Sequence, residues 1–340
     1  MAARSATMIE PDIAILGAGA WGTALAVTLA RAGRRVTLCV RRPEQLRRMA
    51  AELENRTYLA GIELPQSLAL SADWADAVSR CRMVIVAVPS SFVRAMITPL
   101  IDLIPHDATF ISATKGLEER SLKTMSQALA ELLPRGVHVA ALSGPGFAAE
   151  VARGRPAALV AAARDEQLAG VVQRVLAVPF LRVYRSLDVV GVELGGAVKN
   201  VIAIAAGISD GLDLGSSARA ALITRGLAEM MRLGTAMGAR RDTLAGLSGL
   251  GDLILTCTGE LSRNRAYGLR IGKGAASAQP AREGTQIAEG AVNARLVAQV
   301  GAKWNVELPI VAAVCRCLYE EQPPQAMVEG LFSRELKAEF

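Results

Sequence analysis

Ile13-Ala14-Ile15-Leu16-Gly17-Ala18-Gly19-Ala20-Trp21-Gly22 opens the chain's first structured unit and decides its fold. Four apolar residues suit a buried parallel strand. The six that follow fit Gly-x-Gly-x-x-Gly, and residues 23–30 continue as a helix that Gly33 closes. Among 31 glycines such a hexapeptide alone carries little weight. In the order strand, glycine turn, helix it is what a dinucleotide pyrophosphate requires. Gly17, Gly19 and Gly22 let the backbone turn tightly and approach the phosphates. The helix start offers free N–H groups and the positive end of a dipole.

Residues 35–40 read as the second strand, which ends at Arg41-Arg42. Dinucleotide sites that prefer NAD place an acid about 20 residues beyond the glycine turn, on the ribose 2′-hydroxyl. Two arginines stand there instead. Guanidinium groups attract a 2′-phosphate, so the preferred cofactor is NADP(H), with NAD(H) possible. The alternative is that both arginines are merely solvated at a strand end.

A chain of 340 residues is expected to hold about two domains. With 51% hydrophobic and 21% charged residues it has enough apolar material for substantial cores. The net charge of +6 is scattered and only 4% of residues are aromatic, so nucleic acid is not the expected partner. Apolar stretches are interrupted by Gly, Arg or Asp and look too short to span a bilayer, and residues 1–8 lack the apolar core of a secretory signal. Five cysteines without a disulfide spacing suit a reducing cytoplasm. Cys315-x-Cys317 alone is a weak metal signal. His106 and His138 are the only two histidines, and neither has an acid at a catalytic spacing. No metal site is expected, and the candidate proton donor is therefore a lysine.

The first half alternates short apolar runs with helical segments, the pattern of a parallel α/β sheet. Further strands are expected at 83–88, 109–113, 137–142, 157–162 and 181–184. In such sheets ligands bind beyond the carboxyl ends of the strands, which puts Trp21, Pro89, Lys115 and Gly144 on one rim. After about residue 188 helical periodicity takes over. In 218–237, Ile223, Leu227, Met230, Gly234 and Met237 recur at steps of four and three, one face of a helix. Segments 292–300 and 310–318 also read as helices. The expected architecture is α/β: a Rossmann-like doubly wound sheet over 1–190 and an all-helical domain over 191–340. Residues 272–281 are the expected mobile loop, and the chain beyond Gly330 a short surface segment.

Lys199 lies in Gly-Gly-Ala-Val-Lys-Asn-Val-Ile-Ala-Ile. Desolvation among such residues lowers a lysine pKa towards the range of a general acid; a lysine snorkelling to the surface is the other reading. Asp252, in the glycine-rich stretch Leu247-Ser-Gly-Leu-Gly-Asp, either caps a helix or pairs with Lys199. Ser262-Arg263-Asn264-Arg265 is either a helix start that cradles phosphate or a solvated surface cap. Lys115, directly after a strand on the rim, faces the ligand cleft. Glu289-Gly290 alone reads as an ordinary helix–turn element.

Taken in order, the glycine turn with Trp21-Gly22-Thr23-Ala24-Leu25-Ala26, Ala113-Thr114-Lys115-Gly116, Ser143-Gly144-Pro145, Ala197-Val198-Lys199-Asn200, Gly249-Leu250-Gly251-Asp252-Leu253 and Ser262-Arg263-Asn264 form a series. It closely resembles the bacterial NAD(P)-dependent sn-glycerol-3-phosphate dehydrogenase family, from about residue 12 to 330. The resemblance implies reversible reduction of dihydroxyacetone phosphate to sn-glycerol 3-phosphate, supplying glycerophospholipid synthesis. Lys199 matches the catalytic lysine. Lys115, Gly144, Lys199, Asp252, Ser262, Arg263 and Asn264 match substrate positions. Cofactor positions fall on Gly17, Gly19, Ala20, Trp21, Gly22, Arg41, Arg42, Lys115, Ala148, Arg263, Ile287 and Glu289. Gly146 stands where the family commonly has Ser or Thr, so any contact there comes from backbone or water. A homodimer through the helical domain is expected. Two alternatives are another β-hydroxyacid dehydrogenase, which residues 249–253 and 262–264 argue against, and a non-catalytic NADPH-binding sensor.

Overall fold

The computed structural model describes residues 12–275 and 289–333, together with 335 and 338. The order begins β1 (Ile13–Leu16), α1 (Ala20–Arg31), β2 (Val36–Cys39), α2 (Pro43–Glu52), β3 (Ala69–Ser71), α3 (Trp74–Arg80), β4 (Met83–Val86) and α4 (Ser90–Ile97). It continues with β5 (Thr109–Ser112), α5 (Met125–Leu132), β6 (His138–Ser143), α6 (Ala148–Ala152), β7 (Ala157–Ala163), α7 (Glu166–Leu176) and β8 (Leu181–Ser186). Helices follow: α8 (Val189–Gly211), α9 (Gly215–Ala236), α10 (Arg241–Ala245), α11 (Asp252–Thr258), α12 (Arg263–Gly272), α13 (Glu289–Lys303), α14 (Pro309–Tyr319) and α15 (Pro324–Phe332).

Among the described residues eight strands form one sheet, in the order β3-β2-β1-β4-β5-β6-β7-β8. Strands β1, β4 and β5 are buried at every position, which explains their continuous apolar sequence: helices cover both faces. The winding direction reverses between β1 and β4, opening a crevice at their carboxyl ends. One pairing departs from the expected parallel pattern, because β7 runs antiparallel to β6. Their link carries only the five-residue α6, too short to return the chain along the sheet for a parallel strand. Two further differences are local. The short β3 was not expected, and the strand at 83–88 ends at Val86, just before the Val88-Pro89 turn into α4.

Helix α8 is the axis of the second layer. It is long and apolar enough to cross a membrane, contrary to the expectation that every apolar stretch is too short. Of its apolar window 94% is buried inside the protein, as a core helix. Its small residues let neighbours touch backbone to backbone. A Cβ on Gly207 would fall 2.0 Å from the Arg265 carbonyl oxygen, and one on Gly268 2.0 Å from that of Ile204. Helix α12 therefore lies against α8, with its first turn over Asn200. A Cβ on Gly195 would meet the Ser248 carbonyl oxygen at 2.3 Å. That close approach seats the π-turn Leu247–Gly251 on α8 and brings the start of α11 to Lys199. Helix α9 spans Gly215–Ala236 and α15 runs past Gly330 to Phe332, so the chain beyond 330 begins as helix. Of the expected mobile loop, Gly272 ends α12 and 276–281 lie outside the described residues.

Candidate active site

Helix α1 begins inside the fingerprint, at Ala20 with Gly19 as N-cap, so Trp21 and Gly22 belong to its first turn. Gly17 has φ +116°, and a Cβ there would lie 2.6 Å from Val88 Cγ1 and 2.7 Å from the Ala87 carbonyl oxygen. A side chain on Gly22 would strike the Gly17 carbonyl oxygen at 2.0 Å. Gly19 differs: nothing lies within 4 Å of where its Cβ would project. Space at the central glycine, tight packing at the flanking two and no acid in the first turn of α1 fit an approaching pyrophosphate. Two side chains that sequence reasoning missed brace this turn. Asn55 Nδ2 donates to the Ala18 carbonyl (3.0 Å) and to Thr23 Oγ1 (2.8 Å), and Gln45 Nε2 donates to the same carbonyl (3.1 Å). Neither position carries a local signal, because each acts by folding back over the turn.

Arg41 and Arg42 are exposed beyond β2. Arg42 is the N-cap residue of α2, and the Arg41 guanidinium stands 5.4 Å from the centre of the Phe92 ring.

Across the crevice, α8 presents Lys199, 6% exposed, to Asp252, 1% exposed. Lys199 Nζ donates to Asp252 Oδ1 at 2.6 Å and to Thr256 Oγ1 at 3.0 Å. Lys115, from the loop after β5, donates to Asp252 Oδ2 at 2.8 Å and to the Gly144 carbonyl at 3.0 Å. Gly144 has φ +127°, a backbone that turns its carbonyl towards Lys115 and disfavours any side chain. The Lys115 ammonium also lies 5.7 Å from the centre of the Trp21 ring. One buried carboxylate thus bridges a buried ammonium, Lys199, and a partly exposed one, Lys115, and the cluster keeps one net positive charge. Burial pushes Lys199 down to about 8; Asp252 opposes the shift and Lys115 adds to it. Each ammonium has three N–H donors. Two on Lys199 are spent on Asp252 and Thr256, which leaves the third for a ligand oxygen.

Thr256 escaped the sequence reading, although its place one helical turn after Asp252 on α11 is a usable signal. Asn200 and Asn293 escaped as well. Asn200 Nδ2 donates to the carbonyls of Gly196 (3.2 Å) and Lys115 (3.4 Å), and Asn293 Nδ2 to that of Lys115 (3.1 Å). Asn264 Nδ2 donates to Asn200 Oδ1 (2.9 Å) while its own Oδ1 accepts the Gly290 N–H (3.0 Å).

The remaining candidates are spread around this centre. Ser262 is a buried N-cap whose hydroxyl accepts the Arg265 N–H at 3.2 Å. Arg263 is exposed at the first position of α12, while Arg265 is held by Asp210 at 2.7 Å. Ala148 opens α6. A Cβ on Gly146 would sit 3.3 Å from Val151 Cγ2 and 3.5 Å from the Trp21 ring. Glu289 opens α13, and burial pushes its carboxyl up against the pull of Arg263, Lys199 and Lys115. Ile287 lies outside the described residues. Cys315 and Cys317 are free thiols.

With that geometry in place, two family models cover most of the chain. One, described as NAD-dependent glycerol-3-phosphate dehydrogenase N-terminus, matches residues 12–169, and the other, the C-terminus of the same family, matches 188–329. Proteins named glycerol-3-phosphate dehydrogenase (NAD(P)+) from Geobacter sp. (strain M21) and Thiobacillus denitrificans are each 49% identical to it. The alignments cover 96% of this chain and 98% and 99% of theirs. A crystal structure of glycerol-3-phosphate dehydrogenase from Coxiella burnetii superposes with a TM-score of 0.91 at 41% identity, covering 96% of this chain and 99% of that one.

Proposed function

The chain belongs to the NAD-dependent glycerol-3-phosphate dehydrogenase family, and from that premise we propose how its own residues perform the reaction. It is an oxidoreductase that reversibly reduces dihydroxyacetone phosphate to sn-glycerol 3-phosphate with NAD(P)H. The observation that carries the mechanism is the Lys199–Asp252–Lys115 bridge, buried at Lys199 and Asp252, with Lys115 beside the Trp21 ring of the glycine turn.

The nicotinamide cofactor, when bound, supplies hydride to the ketone carbon. Gly17, Gly19, Gly22, Ala20 and Trp21 hold its pyrophosphate and adjoining groups; Ala148, Lys115, Arg263, Ile287 and Glu289 complete that site. Arg41 and Arg42 take the 2′-phosphate, which makes NADP(H) the preferred form over NAD(H). As negative charge grows on the ketone oxygen, Lys199 stabilises it through its third N–H and then gives up the proton. Asp252 and Thr256 fix the ammonium in direction, so that little reorganisation is needed at the moment of transfer. For alcohol oxidation neutral Lys199 is the base. Lys115 and the Gly144 backbone line the substrate site, and Ser262, Arg263 and Asn264 hold the phosphate at the start of α12. Binding at that remote group aligns the carbonyl with the lysine.

The same proposal divides the protein at residue 190 into a dinucleotide-binding domain, 1–190, and a helical substrate domain, 191–340. It places the enzyme in the cytoplasm as a homodimer formed through the helical domain, feeding glycerophospholipid synthesis. The test is to mix purified protein with dihydroxyacetone phosphate and NADPH, with NADH alongside, and follow the reduced-nicotinamide absorbance. Oxidation that depends on the phosphate ester and is faster with NADPH supports the reading. Binding of NADPH without turnover contradicts it.

A further inference from the structure

Lys115 enters the site from the sheet side, whereas Lys199, Asp252 and Thr256 belong to the helices. Something must hold the Lys115 backbone in register with them. Its carbonyl oxygen has two lone pairs, and two amides from the helical side converge on it. Asn293 Nδ2 is at 3.1 Å and Asn200 Nδ2 at 3.4 Å. Asn293 is 1% exposed on α13, and its Nδ2 also reaches the Ala197 carbonyl, at 3.5 Å, two residues before Lys199. One amide group thus ties the loop after β5 to the turn of α8 that carries the other lysine. The neighbouring residue is built for this approach. A Cβ on Gly116 would stand 3.0 Å from Asn293 Oδ1 and 2.8 Å from Ser90 Oγ, so a side chain there would drive the amide away. Helix α13 reaches Lys115 by a second, longer route, from Gly290 N–H through Asn264 and Asn200. Nothing in this arrangement brings Asn293 to the ligand-facing ammonium groups themselves.

We propose that Asn293 is a positioning residue that holds the Lys115 backbone so that the Lys115 ammonium stays on Asp252 beside Lys199. The proposal rests on the roles given above to Lys115 and Lys199. Its physical basis is that a buried carbonyl stripped of its nearer donor leaves its loop free to turn. Lys115 then quits Asp252 for part of the time, and the carboxylate serves Lys199 alone. The groups that act electrostatically on Lys199 or feel its charge are Asp252, Lys115, Cys257 and Glu289. Of these, Lys115 is the one that Asn293 controls. Losing its repulsion raises the Lys199 pKa above about 8.

The test uses full-length enzyme in four forms: wild type, Asn293→Leu, Lys115→Met and the double variant. Leucine keeps the branched heavy-atom shape and removes the donor. Asn293→Leu is expected to lower kcat/KM for dihydroxyacetone phosphate about tenfold. The double variant should be no slower than Lys115→Met within about twofold, because there is no ammonium left to position. The titration midpoint of Lys199, read by NMR of its labelled side chain, should be higher in Asn293→Leu than in wild type. Multiplying losses in the double variant, or an unmoved Lys199 midpoint, would overturn the proposal by reducing Asn293 to a packing residue. If Asn293→Leu does not fold, Asn293→Ala, which is smaller and also removes the donor, replaces it in the same cycle and is read by the same criteria. Wild-type protein that fails to turn over would refute the functional reading; the Lys199 titration does not need turnover and still decides on Asn293.

Discussion

Replacing Asp252 by asparagine separates the electrostatic role of the bridge from its shape. Asp252 lies 2.6 Å from Lys199 Nζ and is the largest influence holding the lysine's pKa up against burial, which has already brought it down to about 8. An opposite charge this close shifts a pKa by about one to three units, so Asp252→Asn should move Lys199 to between about 5 and 7. In wild type, ketone reduction needs the charged lysine, so kcat/KM is flat below about pH 7 and falls about tenfold per pH unit well above 8. At pH 8 about half the wild-type lysine is charged; in the variant that fraction is between about a tenth and a thousandth, a rate loss of about five- to five-hundred-fold. The deficit should shrink as the pH is lowered, until only a pH-independent loss from disturbed geometry remains. Alcohol oxidation needs the neutral lysine, so its acid limb should move to lower pH in the same variant. Steady-state pH profiles in both directions measure this. A variant whose reduction limb stays near 8, or moves upward, would refute the assignment of that limb to a lysine held by Asp252.

Three other outcomes follow from particular contacts. Arg41→Ala with Arg42→Ala should raise the NADPH KM about tenfold or more, from lost charge-assisted bonds, and leave that for NADH nearly unchanged; equal losses would dismiss the 2′-phosphate role. Gly17→Ala places a Cβ 2.6 Å from Val88 Cγ1 at φ +116° and should cost about 2–4 kcal/mol of stability, seen as a lower denaturation midpoint, and weaken NADPH fluorescence binding. Burial pushes the Glu118 carboxyl up, but hydrogen bonds from Ser121 and Arg94 outweigh it and hold it down to about 2. That difference from the ordinary 4.5 contributes about 3 kcal/mol. The contribution is present above pH 4.5 and lost as the pH falls towards 2. Between pH 4.5 and pH 2 the stability of wild type, from denaturant melts, should fall by about 3 kcal/mol more than that of Glu118→Gln.

The sequence and the structure agree where the information is local. A strand, a glycine turn and a helix occur consecutively, and each glycine has a distinct steric reason that the hexapeptide spacing encodes. Desolvation of Lys199 was legible as one of two readings, because its own neighbours on α8 are small and apolar. Its partner was legible only as one of two readings. Asp252 lies 53 residues further on, and what brings it within 2.6 Å is the seating of a π-turn against Gly195, a long-range packing event. The antiparallel β7 was hidden for a similar reason: strand direction depends on the length of a connecting helix, not on the strand's own apolar pattern. Asn55, Gln45, Asn200 and Asn293 hold backbone carbonyls from a distance. Their amides look like ordinary polar residues until the fold brings a carbonyl to them.

Whether Lys199 is the proton donor is decided by a single-turnover experiment with Lys199→Met. Enzyme preloaded with NADPH is mixed with dihydroxyacetone phosphate, and the loss of reduced-nicotinamide absorbance gives the rate of the chemical step. Methionine keeps the length of the chain in its pocket and removes the ammonium. The rate should be lower by about a hundred- to ten-thousand-fold, the range of a lost general acid, with NADPH affinity nearly intact. A rate close to wild type, with NADPH bound, would contradict it.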